Sequence, residues 1–279
     1  MVRHFTTQVP SAVSGHWAPQ DLGFDLADVS AASKLEGMPE GVDGLVYLGL
    51  KNGVDDEFMA RVDRWKGNSR IWGFYIIDEP FGVPPDSIKA QADYLRTLFP
   101  TAVMYCKLTN QRGTDKPEWH PYNIESTGCD LLGIGGYSVR ARFPGGYDAE
   151  LIERYVTTAV RDGIPIEKMS PYMQTFGGVI DWPLPTEAQM DEMFGDWRRL
   201  CPNPVFDTCY AWSVQPQWGT QGLSNNQMMR DATVRHFKAQ AEGQKPSPGD
   251  GLKVAIALDG APVAEVTLKT GSVLSLTAS

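Results

Sequence analysis

The chain has 279 residues, 42% hydrophobic and 21% charged, a balance that suits one large globular domain, alone or with an appendage, and excludes a disordered chain. A net charge of −9 and a pI near 5.0 argue against a nucleic-acid backbone or an anionic membrane as the main partner, since nothing would offset the repulsion. With 28 glycines and 20 prolines, many tight turns must separate many short elements.

The first ten residues hold no long apolar run, so no secretory signal is expected, and the protein is placed in the cytoplasm or carried on a virion. No stretch approaches the roughly 18 apolar residues of a membrane span. Val2 to Thr7 reads as a first strand. Further short runs, apolar on both faces, lie at Gly44 to Leu50, Ile71 to Ile77, Ala102 to Cys106, Leu131 to Gly135, Met169 to Phe176 and Thr208 to Val214. Such runs fit parallel strands covered by helices better than half-exposed antiparallel ones.

Amphipathic helices fill the gaps. Asp25, Asp55 and Asp86 are expected to cap three of them. Leu151, Ile152, Tyr155, Val156, Ala159 and Val160 form one helical stripe. Thr186-Glu-Ala-Gln189 is a capping box ahead of Met190, Met193, Phe194, Trp197 and Leu200, and Ser224-Asn-Asn-Gln227 repeats the signature before Met229, His236 and Phe237. Trp65, Trp197 and His236 lie on apolar stripes and are expected in the core.

Strand–helix repetition at about 30-residue spacing gives seven or eight units, enough to close an α/β fold of the (β/α)8 TIM-like barrel type. A doubly wound open sheet is the alternative. No GxGxxG or GxxxxGK[ST] follows any strand, and Gly133-Ile-Gly-Gly136 resembles such a loop only superficially. After residue 243 the composition changes. Residues 244–251 read as a linker, and 252–279 as a short β appendage with strands at Leu252 to Leu258, Ala261 to Leu268 and Ser272 to Leu276 and a turn at Asp259-Gly260. About thirty residues cannot make an independent core, so the appendage is expected to pack on the barrel, on a second copy, or on another protein of an assembly.

In such a barrel, functional residues gather at the C-terminal ends of the strands. Those ends offer Asp78-Glu79-Pro80, Lys107 to Asn110, Tyr137-Ser138, Gln174-Thr175 and Trp212 to Gln215, with Asp181-Trp182, Trp218 and His16-Trp17 in loops nearby. Two carboxylates at the end of an apolar strand are costly to desolvate and need a reason. Strict alternation puts Glu79 on the face of Gly73, Tyr75 and Ile77, and Asp78 on that of Trp72, Phe74 and Ile76. One carboxylate should then enter the barrel mouth while the other bonds a neighbouring loop or strand. Gly73 and Tyr75 fit a site that needs space and a polar tip. Lys107 has four readings: orienting a substrate, setting a positive charge beside Glu79, forming a Schiff base, or snorkelling to solvent. Trp17, Trp119, Trp182 and Trp218 stand in Pro/Gly-rich loops, where an exposed indole calls for a ligand or partner. Cys106, Cys129, Cys201 and Cys209 lack metal-ligand spacing and are expected as free thiols, and His4, His16, His120 and His236 do not cluster in sequence. No metal and no cofactor are implied.

Gly73-Phe-Tyr-Ile-Ile-Asp-Glu-Pro80 resembles the G-x-Y-x-x-D/N-E-P strand end of glycoside-hydrolase-like TIM barrels. Asp130-Leu-Leu-Gly-Ile-Gly-Gly-Tyr137 is similar to their D-x-x-G-x-x-x-Y strand, and Gln174 and Tyr210-Ala-Trp-Ser213 to their late strands. The resemblance spans residues 1–240. It implies a carbohydrate substrate, with Glu79 as general acid/base and Tyr137, Gln174 and Trp212 lining the sugar pocket. Such enzymes carry a second carboxylate at a late strand end. Here that end, Trp212-Ser-Val-Gln-Pro-Gln217, has none. Asp181 and then Asp78 are the substitutes, with Tyr75, Lys107, Trp182 and Trp17 as further contacts. The alternative implied is a non-catalytic glycan-binding or structural component, such as a bacteriophage tail protein docked through residues 252–279.

Overall fold

A computed structural model describes residues 2–214, 217 and 219–242, and the backbone course of 252–258 and 261–268. They fall into two units divided after Ala241. In the first, eight strands form a closed barrel in sequence order: β1 (Arg3–Thr6), β2 (Leu26–Val29), β3 (Asp43–Tyr47), β4 (Ile71–Asp78), β5 (Val103–Leu108), β6 (Leu131–Gly136), β7 (Met169–Gln174) and β8 (Phe206–Tyr210). Every neighbouring pair is parallel, including β8 with β1. Helices α1 (Ala32–Glu36), α2 (Asp56–Asp63), α3 (Pro85–Leu98), α4 (Ile124–Thr127), α5 (Leu151–Arg161), α6 (Glu187–Leu200) and α7 (Gln227–Ala241) lie between or after the strands. This is the (β/α)8 barrel.

Two cores follow from the alternation of strand side chains. Phe5, Leu26, Leu45, Tyr75, Tyr105, Leu131 and Phe206 point inward and fill the barrel, with Tyr105 and Phe206 edge-to-face at 4.8 Å. The outward residues, among them Phe74, Ile76, Ile77, Cys106 and Leu132, pack beneath the helices with Met190, Met193, Phe194 and Trp197. The helical stripe of α5 is buried except for Val160, which is exposed.

Several local expectations shift. β2 is a short strand that apolar runs did not mark, because Leu26-Ala-Asp-Val29 places an acid among three small or apolar residues. Asp25 therefore caps no helix. Its carboxylate accepts from the His4 backbone N–H and pairs with Arg3 at 2.9 Å. Asp55 does cap α2, accepting from the Phe58 N–H, and Thr186 forms its reciprocal capping box with Gln189. Asp86 sits inside the first turn of α3 behind Pro84, and Asn226, not Ser224, caps α7 by accepting from the Met229 N–H.

The second unit shows β9 (Leu252–Leu258) paired antiparallel with β10 (Ala261–Leu268). The linker, the turn at Asp259-Gly260 and the strand expected at Ser272 to Leu276 lie outside the described residues.

Candidate active site

The site is built where β4 departs from regular alternation. Tyr75 pairs with Tyr105 of β5, but the next residue of β5, Cys106, pairs with Ile77, so Ile76 is an extra residue in β4. Both Ile76 and Ile77 face the helix layer, and Asp78 returns to the barrel side, in register with Lys107. A bulge of this kind re-aims the residues after it. The Tyr75 hydroxyl accordingly donates to Asp78 Oδ1 at 2.7 Å. Glu79 then adopts φ +49°, in the left-handed region that non-glycine residues seldom enter. This turn brings the second carboxylate to the same mouth, where it contacts Lys107 Nζ. Alternation predicted that the two carboxylates part; bulge and turn together unite them.

Lys107 is the hub. Its side chain is 5% exposed, it touches Glu79, and it lies 3.9 Å from Asp78 Oδ1. The ring centres of Tyr172 and Tyr137 are 5.1 and 5.8 Å from its ammonium. Inward-facing Gly135 on β6 leaves room for its stem, since a Cβ there would meet Lys107 Cε at 3.3 Å. Burial pushes the Asp78 carboxyl above the usual range, against the opposing effects of Lys107 and the Tyr75 hydroxyl. The Glu79 side chain is 51% exposed, so the pair opens to solvent and is not sealed in the core.

Above these groups lies a cavity of about 280 Å³, walled by Tyr137, Tyr172, Phe176, Trp182 and Tyr210. Tyr137 packs on Tyr210 at 5.9 Å and edge-on to Trp182 at 5.6 Å. A second arm of about 330 Å³ extends past Glu79 and Lys107 to Asn110, Arg140, Arg142 and Tyr155.

The structure brings Asp78, Glu79, Lys107, Tyr137 and Trp182 together, with Tyr75 beneath them as the hydrogen-bond donor to Asp78 rather than as a contact surface. The other candidates lie elsewhere. Asp181 sits on the exposed tip of a tight turn in which Val179 and Trp182 exchange backbone hydrogen bonds; the turn presents Trp182 to the cavity and leaves Asp181 outside. Gln174 is buried with its amide committed to both backbone groups of Val139, so it fastens the loop after β6 instead of meeting a ligand. Trp212 is buried in the outer core and does not line either cavity. Trp17 is wholly buried, its indole N–H donating to the Pro10 carbonyl. Trp119 is likewise buried, its indole N–H donating to the Tyr155 carbonyl. Trp218 lies outside the described residues. The space at Gly73 is filled by the Val103 carbonyl, 2.6 Å from where a Cβ would stand.

Sequence reasoning missed Tyr172, Arg140 and Arg142, which line the cavities, and Asp28, which does not; Tyr210 entered only within the Tyr210-Ala-Trp-Ser213 resemblance. Tyr172 and Tyr210 were written inside apolar runs, and only strand parity beside Gln174 distinguishes them. Asp28, on the inward face of β2 with Leu26, accepts from the Gln8 N–H, and burial raises its carboxyl. Its signal was present, an acid inside a short apolar stretch, but the strand itself went unread.

Solved structures share this barrel. The GH18 chitinase ChiB from the chitin utilization locus of Flavobacterium johnsoniae superposes with a TM-score of 0.54 at 10% identity, covering 85% of this chain and 94% of that one. The Bacillus cereus spore cortex-lytic enzyme SleL gives 0.54 at 9% identity, covering 84% and 74%. A family GH18 chitinase from Cycas revoluta, in complex with allosamidin, gives 0.53 at 9% identity, covering 85% and 100%. No family model matches the chain, and no curated protein matches it. These likenesses show the fold, a closed eight-stranded parallel (β/α)8 barrel.

Proposed function

We propose that the protein is a glycosidase acting on a polysaccharide or glycoconjugate, with Asp78 and Glu79 as its reacting carboxylates. The observation that carries this reading is their convergence on one open, aromatic-walled cavity at the C-terminal ends of the strands. The raised carboxyl of Asp78 suits a group that holds a proton and gives it to the leaving glycosidic oxygen. Glu79, against the ammonium of Lys107 and facing solvent, supplies the second carboxylate, which attacks the sugar or activates a water. This divides the work otherwise than the sequence resemblance, which gives the acid role to Glu79. The tyrosine and tryptophan rings offer flat apolar faces for a pyranose. Two of the superposed proteins are chitinases and one is a cortex-lytic enzyme, so amino-sugar polymers head the substrates to try.

The test is release of reducing ends from chitin, peptidoglycan, cellulose and xylan by the wild type, Asp78→Asn and Glu79→Gln. Cleavage of at least one polymer is expected, falling about a hundredfold or more in each variant while the circular dichroism spectrum is kept. A wild type that cleaves none of the panel, or variants that cleave as well as it does, would overturn the reading.

A further inference from the structure

The second arm of the cleft carries a charge unlike that of the chain. Against a net charge of −9, it gathers Lys107, Arg112, Arg140 and Arg142 around the one acid, Glu79, that lines it. Two of these cations are already answered, Lys107 by Glu79 and Arg112 by Glu118. Arg140 and Arg142 are not: neither guanidinium reaches a carboxylate within ion-pair distance among the described residues. Asp181 acts on Arg140 only from further off.

Arg140 is held for a purpose its own contacts do not exhaust. Its guanidinium lies over the Trp182 ring at 4.1 Å, and its buried Nε–H has no acceptor among the described residues. Arg142 stands exposed on the same loop after β6, beside the same cavity. Arg142 acts on Arg140 as a like charge, and an anion shared by the two would relieve that repulsion and take up the unspent buried donor. The guanidinium fork matches an oxyanion such as a carboxylate or sulfate in two-point geometry, which a neutral hydroxyl cannot repay.

We propose that this arm is a subsite for an acidic sugar, whose oxyanion is held by Arg140 and Arg142 while the neighbouring unit lies over Asp78 and Glu79. The inference rests on the glycan-directed reading of the cleft and adds to it a substrate class, an anionic glycan such as an oligouronide or a sulfated chain. Trp182 serves both parts, walling the aromatic cavity and backing Arg140.

The experiment measures binding, so that it does not depend on turnover. Asp78→Asn protein, which keeps the Glu79–Lys107 pair of the arm, is titrated with matched acidic and neutral glycans: oligogalacturonate and its methyl ester, glucuronate-containing oligomers and their carboxyl-reduced forms, muramic-acid-containing fragments and their amidated forms, and sulfated and unsulfated chito-oligosaccharides. At least one acidic member is expected to bind about tenfold or more tightly than its neutral partner, and the pair that responds distinguishes carboxylate from sulfate. Arg142→Ala in the same background should lose about tenfold for that member, and Arg140→Gln with Arg142→Ala should abolish the preference. Arg142 is exposed, so its single variant keeps the fold even if the double variant does not. No acidic preference anywhere in the panel, or a preference that survives Arg142→Ala undiminished, would overturn the proposal. Acidic preference in a protein whose wild type cleaves nothing would leave this subsite standing and remove the glycosidase reading; cleavage of neutral polymers without acidic preference would do the reverse.

Discussion

The hydroxyl of Tyr75 and the ammonium of Lys107 act on Asp78 in the same direction, both favouring its charged form, while burial favours the neutral one and prevails. The balance makes the Tyr75 hydroxyl a sensitive place to intervene. Tyr75→Phe removes a donor at 2.7 Å without changing the volume of the inner core, so the carboxyl of Asp78 should rise further. A general acid works while protonated, and its rate is lost as pH climbs through its pKa. The alkaline limb of the rate–pH profile should therefore move to higher pH in Tyr75→Phe. A limb that stays in place, or moves to lower pH, would take the proton-donor role away from Asp78. Little of this was legible beforehand. The Asp-Glu-Pro signature pointed to the two carboxylates that meet at the cavity, but their orientation was read from alternation, and Ile76-Ile77 looks the same whether one or both isoleucines face the helices.

Among the elements, β6 shows how small residues make room for large ones. Gly133 faces the barrel interior beneath Gly135, and a Cβ on Gly133 would stand 2.1 Å from the Tyr105 hydroxyl. Tyr105 is fully buried, wedged between Tyr75 at 4.9 Å and Phe206 at 4.8 Å, so it has nowhere to move. Gly133→Ala is expected to cost about 2 kcal/mol or more by overpacking, measured as a lowered urea midpoint with an unchanged slope. The glycines that at first resemble a phosphate loop are instead the complement of an oversized tyrosine and of the Lys107 stem. Six of the eight strands were legible as apolar runs, because parallel strands are buried on both faces, and β1 was read as a strand although its Arg3-His-Phe-Thr6 is not an apolar run. β2 was not, because its inward Asp28 interrupts the run. At β3, β7 and β8 the runs overshoot the C-terminal end, as where β8 stops at Tyr210 and not at Val214, while β4, β5 and β6 continue one or two residues past their runs. Residues past a strand end remain apolar while they line or underlie the mouth.

At the scale of the molecule, the seam between β8 and β1 is closed by a buried polar knot. Asp207 Oδ1 meets His4 Nδ1 at 2.9 Å and its Oδ2 meets His236 Nε2 at 3.1 Å, joining both ends of the barrel to α7. The other nitrogen of His236 accepts from Arg198 at 2.9 Å, which leaves Nε2–H as the donor to Asp207 and the ring neutral. Burial works against charge on both Asp207 and His4. It is outweighed in each: His4 and His236 hold the Asp207 carboxyl well below its ordinary range, and Asp207 raises His4. Asp207→Asn should lower stability by roughly 3–5 kcal/mol, because it strips the partner from a buried charge. The pH dependence carries a sign. The His4 contribution is full below its ordinary value of 6.5 and is lost as pH rises through its raised value. The Asp207 contribution is full above 3.8 and is lost as pH falls through its lowered value. The stability gap between wild type and His4→Gln, from urea titrations, should thus be widest between about pH 3.8 and 6.5 and shrink on the alkaline side. A gap that widens above that range would refute the ion pair. No reading of the sequence joins residues 203 positions apart, so this knot, unlike the strand order, had to be seen.

The extra residue in β4 bears on how relatives of this chain are to be recognised. In a strand without it, the inward position following Tyr75 comes two places later; here it comes three places later, at Asp78. A column-by-column comparison with an unbulged barrel therefore sets that barrel's inward residue opposite Ile77, while its counterpart in space is Asp78. Beyond Ile76 the written order and the spatial order are one step out of phase, and two chains with the same acid in the same place will look as though one of them lacks it.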